Sequence, residues 1–197
     1  MSNYTILPNL ERETLSGTQT SSLITEAYTN RKIFLFGEID DKTVYTFTAQ
    51  MLHLMEDETT PIEILINSPG GLVNSGLALY DIITATNCPV HTYCIGQAAS
   101  MAAIVFSAGN KGKRFMLPHS EIMIHEPLIA GGFGGSASSI KNTADSIIRT
   151  RDVLSDILAK HTGKGVKAIN KAVEYDHVMS AKEAIEFGIA DEIIDHI

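Results

Sequence analysis

Ser100 stands in the run Gly96-Gln-Ala-Ala-Ser-Met101, among residues too small to shield it. A strand-like apolar segment precedes the run and a largely apolar helical segment follows. The serine therefore falls in the first turn of a helix. Tiny neighbours let a second backbone approach, and the free N–H groups and positive end of the helix suit a developing oxyanion. That is a setting for nucleophilic attack on a carbonyl; the plainer reading is a buried helix serine. A second place is Asn67-Ser-Pro-Gly-Gly71, again between a strand and a helix. Two consecutive glycines expose backbone N–H groups with no side chain in the way. It reads equally as a tight turn. A third is His125, at the end of Glu121-Ile-Met-Ile-His125 and before Glu126-Pro127. A strand-end histidine can be a general base or a hydrogen-bonded structural residue. The chain has seven histidines, and local reading does not choose His125 over His91 or His119. Nor does it single out one acid, Asp176 included. His119 and His125 lack a third ligand at metal spacing, so no zinc site is expected.

The elements around these residues alternate. Residues 32–36 form an apolar run ended by Gly37, and residues 62–66 a second, stopped by residues 67–71. Residues 90–95 make a third. Between and after them, helical spacing marks residues 42–57, with Asp40 or Asp41 as cap, then 72–86 and 98–108. Strand, helix, strand, helix implies parallel strands with crossover helices, an α/β fold. In such a sheet, ligands sit outside the carboxyl ends of the strands, where residues 67–71 and 96–101 both fall. Two short strands follow, at 114–117 and 121–125. The glycine-rich residues 131–135 lack the pattern of a phosphate cradle and read as a mobile hinge. Residues 136–161 then carry Ile140, Ala144, Ile147, Ile148, Leu154 and Leu158 along one side. A helix that long, standing off a compact core, suggests an oligomer contact.

Composition bounds the rest. A chain of 197 residues, 44% hydrophobic and 19% charged, makes one globular domain with a sizeable core. Residues 1–30 are polar, rich in Ser and Thr, and read as an arm; residues 31–197 are the domain. Fifteen basic against 23 acidic residues give a net charge of −8. That argues against a nucleic-acid partner and against an anionic membrane surface. Cys88 and Cys94 cannot build a disulfide framework and read as buried thiols. No signal peptide is visible, and the most apolar stretch is far short of the ~20 residues a membrane helix needs. The expectation is a soluble cytoplasmic protein.

The motifs together resemble the proteolytic subunits (ClpP) of the Clp ATP-dependent serine proteases. The resemblance is carried by Ile66-Asn-Ser-Pro-Gly-Gly71, Gly96-Gln-Ala-Ala-Ser-Met101, Ala108-Gly-Asn-Lys-Gly-Lys-Arg-Phe115, Leu117-Pro118, Met123-Ile-His-Glu-Pro-Leu128 and His161-Thr-Gly163. Asp176, Met179-Ser-Ala181, Glu183-Ala184 and Phe187-Gly-Ile-Ala-Asp191 continue it, so that it spans residues 31–197. It implies Ser100 as nucleophile, His125 as general base, Asp176 as orienting acid, and the N–H groups of Gly71 and Met101 as oxyanion hole. It implies the ClpP/crotonase spiral of βαβ units, with the long helix as a protruding handle. It also implies seven-membered rings stacked in pairs as a tetradecamer, unfolded protein substrates, and a AAA+ unfoldase as partner. No cofactor and no metal are implied.

Several departures bear on assembly or docking, and none removes a triad residue. Ala102 stands where the family has Gly, Glu126 where it has Gln, and Tyr175 where an Arg joins a charge network across the rings. Glu63 and Leu65 stand where aromatic residues line the unfoldase docking pocket, and the arm lacks the family's usual run. The alternative is a weakly active or structural subunit in a mixed ring with a related subunit. An acyl-CoA enzyme of the crotonase type is a third class, disfavoured by the complete triad.

Overall fold

The computed structural model describes residues 8–15, 17–129, 131 and 134–197. The polar start folds as a hairpin of β1 (Asn9–Thr14) and β2 (Gly17–Ser22), paired antiparallel. Helix α1 (Leu23–Thr29) follows, its first turn capped by Ser22, which accepts from the Thr25 N–H. The arm thus has regular structure, and Tyr28 leans on the core. The sequence hides this because the hairpin alternates Thr, Ser, Gln and Glu with no apolar face.

Nine strands and seven helices are described in all. The second sheet begins with β3 (Lys32–Ile39), β4 (Ile62–Gly71) and β5 (Val90–Ala99). Between them run α2 (Asp41–Leu54) and α3 (Val73–Ala85). After β5 come α4 (Met101–Ser107), β6 (Arg114–Met116) and β7 (Glu121–Ile124). The chain finishes with α5 (Ala137–Thr162), α6 (Val166–Ala172), β8 (His177–Ser180), α7 (Ala181–Phe187) and β9 (Glu192–Ile193). The order is β3-β4-β5-β6-β9, with β7 beside β5 and β8 beside β7. Every pairing in this sheet is parallel except β7 with β8. The architecture is the mixed α/β fold expected.

Period-two burial drives the pairing. Ile33 and Leu35 of β3 and Ile62, Ile64 and Ile66 of β4 are buried, under Phe47, Met51 and Leu54 of α2. Asp40 is the N-cap of α2, accepting from the Thr43 N–H at 2.8 Å. At the other end of that helix, Arg31 holds a left-handed φ of 62°. Its guanidinium compensates by donating to the carbonyls of Leu54, Asp57, Thr60 and Pro61.

Two strands run on where the sequence predicts their end. Residues 67–71 are the continuation of β4 and not a turn: Ser68 pairs with Ala98, Gly70 with Glu38 and Gly71 with Ile39. Residues 96–99 likewise belong to β5 and not to the helix. The ladders absorb this through bulges between Phe36 and Glu38 and between Ile66 and Ser68. Gly37, Gly70 and Gly96, one on each strand, take positive φ there (81°, 91° and 89°). The three strands therefore bend together and keep pairing. Beyond the bend β5 changes neighbour, from β6 at residues 92–94 to β7 at residues 97–99.

The long helix is divided in a way its pattern does not show. Ile140 and Ile148 are exposed, whereas Leu154, Ser155 and Leu158 are buried against the core. Only the first part stands free. The hinge expected at residues 131–135 lies partly outside the described residues. No described helix is long and apolar enough to cross a membrane.

The end of α5 is tied down by a polar cluster. Buried Arg114 donates through Nε to Asp191 at 2.8 Å and through Nη1 to the His161 carbonyl at 3.0 Å. The His161 ring bonds Tyr80 through Nε2 and the phenol, 2.9 Å apart. Burial, with the charges of Lys160 and Arg114, pushes the His161 pKa down to about 4. The unfolded chain takes up this proton below about pH 6.5, and the native state holds it off until about 4. This contribution to stability is complete above that window and declines as pH falls through it. Between pH 7 and pH 5 the loss of this contribution should lower the denaturant midpoint by the equivalent of about 2 kcal/mol at most. His161→Gln, which keeps a hydrogen-bonding group but cannot titrate, should flatten that slope; an unchanged slope would contradict it.

Candidate active site

Ser100 is the N-cap of α4, one residue outside the helix and not in its first turn. Its backbone has φ 55° and ψ −124°, a conformation that costs a non-glycine residue on the order of 1–3 kcal/mol. Two anchors hold it. The Ser100 N–H donates to the Met123 carbonyl at 2.8 Å, and the Ser100 carbonyl accepts from the Ala103 N–H at 3.0 Å. All seven residues of α4 are buried, so the helix cannot shift to relieve the strain. The turn swings the hydroxyl away from the core.

Register brings the histidine to it. In the β5/β7 ladder, Ala99 lies beside Met123, so His125 follows closely on Ser100's neighbour. His125 Nε2 and Ser100 Oγ are 2.8 Å apart. The β7/β8 ladder is antiparallel and pairs Ile124 with His177. One further step along both strands sets His125 opposite Asp176. His125 Nδ1 lies 3.3 Å from Asp176 Oδ1. A carboxylate can only accept, so Nδ1 carries the proton and Nε2 is left to accept from the serine hydroxyl. The Glu126 N–H, donating to the Val173 carbonyl at 2.8 Å, pins the next residue to the segment that leads into Asp176. The histidine side chain is 17% exposed and the aspartate 72%, so the acid meets water in the single chain.

Gly71 and Met101 line the same cleft as Ser100 and His125, a space of about 540 Å³. Met101 is the first residue of α4, where a helix N–H has no intrahelical partner. Gly70 is equally constrained. A Cβ there would stand 2.6 Å from the Ala99 carbonyl oxygen, 2.8 Å from Ser100 Cβ and 2.9 Å from the Met101 nitrogen. A Cβ on Gly71 would meet the Ile39 carbonyl oxygen at 2.2 Å. Both glycines are required because strands β3 and β4 and the serine turn converge on one spot.

The structure therefore gathers Ser100, His125, Asp176, Gly71 and Met101. It leaves the rival histidines elsewhere: His91 packs edge-on to Phe115, and exposed His119 lies between β6 and β7. Sequence reasoning missed the apolar wall of the cleft, formed by Ile104, Leu154, Leu158 and Val173. The i, i+4 spacing of Leu154 and Leu158 was the available signal, but it reads equally as an oligomer stripe.

This arrangement can carry a proton from a hydroxyl to an imidazole beside an extended, largely apolar groove. The family model described as Clp protease matches residues 15–197. The ATP-dependent Clp protease proteolytic subunit 2 of Chlamydia trachomatis serovar D is 44% identical over 191 residues, covering 96% of this chain and 93% of that protein. The subunit of the same name from Chlamydia muridarum is 43% identical over the same span. With a family match reaching from the hairpin to the last residue, and relatives aligned over nearly their full length, the chain belongs to the Clp protease family of proteolytic subunits.

Proposed function

We propose that the chain is a serine endopeptidase subunit in which Ser100 attacks the scissile carbonyl. His125 takes the hydroxyl proton as the tetrahedral intermediate forms and returns it to the leaving amine. Asp176 holds the imidazole in the required tautomer and stabilises its positive charge. The N–H groups of Gly71 and Met101 receive the oxyanion. The observation that carries this reading is the pair of contacts on one imidazole, 2.8 Å to Ser100 and 3.3 Å to Asp176. Substrate lies as an added strand beside Leu72 and near Pro127 and Leu128, all of which line the cleft. Main-chain pairing tolerates many sequences, which suits unfolded protein delivered by a AAA+ unfoldase into a cytoplasmic chamber of two seven-membered rings.

One observation favours a second reading, a weakly active or structural subunit that works beside a related one. Tyr175 is 79% exposed next to Asp176, and among the described residues no lysine or arginine pairs with that carboxylate. Labelling of the purified chain by a fluorophosphonate probe separates the two, with native mass spectrometry reporting ring size and composition. Stoichiometric labelling at Ser100 is the expected result. A chain that assembles but stays unlabelled is a structural subunit.

A further inference from the structure

Acidic side chains outnumber Lys and Arg in the cleft beside Ser100. Two exposed carboxylates line it, Glu38 near the end of β3 and Glu126 directly after His125. They approach from different elements: Glu38 pairs with Gly70 on the glycine side, and Glu126 is fixed to Val173 on the histidine side. Among the described residues neither carboxylate has a hydrogen-bond or ion-pair partner. The cation that shares the cleft, Arg151 of α5, is already occupied. Its Nε and Nη2 donate to Asp152 Oδ1 at 3.2 and 2.9 Å. The cleft therefore presents two unpaired carboxylates against a wall of Ile104, Leu154 and Leu158.

We propose that Glu38 and Glu126 make this site select for positively charged side chains next to the scissile bond and against negative ones. The inference rests on the reading of Ser100 as nucleophile. A substrate laid as a strand sends successive side chains to opposite sides. The residue at the cut enters the apolar part, and its neighbours pass the carboxylates. An apolar wall focuses the field of the two charges into the groove. Each exposed pair contributes modestly, so each carboxylate is worth about threefold in kcat/KM and the two together about tenfold. The effect is screened as salt rises.

The test uses peptides with one apolar residue at the cut, flanked by Lys, Gln or Glu, and the assembled full-length protein. The expected order is Lys, then Gln, then Glu, spanning about tenfold at low salt and narrowing as salt is added. Glu38→Gln and Glu126→Gln should each lower the Lys-to-Glu ratio by about threefold, and Glu126→Lys should bring it to parity or invert it. Ser100-dependent cleavage with no charge order, or an order that survives these substitutions, overturns the inference alone. Cleavage that persists in Ser100→Ala overturns the reading of the site, and the inference with it.

Discussion

Ser100→Ala should lower peptide hydrolysis by several powers of ten, about 10⁴-fold or more, while the chain still folds and assembles. The hydroxyl contributes little to packing: its partner is an imidazole that already meets water, and losing one such bond costs about 1 kcal/mol. The strained φ of 55° is set by α4 and the Met123 carbonyl, and an alanine meets the same constraint. The loss should therefore appear in kcat, with ring size and thermal midpoint nearly unchanged. Size-exclusion mass and a peptidase assay on the same sample check both halves. Activity within tenfold of the parent would remove Ser100 from the mechanism.

Gly70→Ala should have the next largest effect, through geometry and with every polar side chain of the site left in place. The added methyl would press on the Ala99 carbonyl, Ser100 Cβ and the Met101 nitrogen, all inside 3.0 Å. Two of these contacts are backbone and cannot swing aside. The residue would also inherit a φ of +91°. Relief requires the serine turn and the Met101 N–H to move, and a displacement of about 1 Å can cost a hundredfold in rate. The folded enzyme should therefore lose about a hundredfold in kcat/KM and also some thermal stability. Gly112→Ala is the control, with a similar φ of +82° and nothing within 4 Å of the new methyl. It should show the conformational cost alone. Equal behaviour of the two variants would show that crowding at Ser100 is not what the glycine prevents.

Much of this fold was legible because burial writes itself into spacing. Ile62, Ile64 and Ile66 alternate as a half-buried strand must, and Asp40 and Ser136 mark helix starts that the structure keeps. What misled was local chemistry overruled by pairing. Pro69 between Ser68 and two glycines reads as a turn, yet β3 and β5 on either side keep the strand going. Ser100 reads as helical because small residues suit a first turn; its left-handed backbone is imposed from outside, by Met123. The choice of His125 among seven histidines could not be made locally at all. It follows from the β5/β7 and β7/β8 registers, which join residues far apart in the chain. The family resemblance carried that choice, since a set of motifs encodes long-range pairing that spacing within one element does not. The carboxylate at Glu38 was missed for the same reason.

The bend at Gly37, Gly70 and Gly96 also sets an order of events in time. Strands β3, β4 and β5 can pair as soon as their crossover helices form. Strand β7 needs the outer part of β5, and β8 is paired to β7 alone. Contacts between distant segments close late, since loop closure must come before their reward. Asp176, 3.3 Å from the His125 ring, rides on the approach to β8. The pairing of β3, β4 and β5 therefore comes before β8 brings Asp176 to His125. The same strand, held by one neighbour, is also open to local fluctuation in the native protein. The chain gathers Ser100, His125 and Asp176 only once the edge strand β8 has docked.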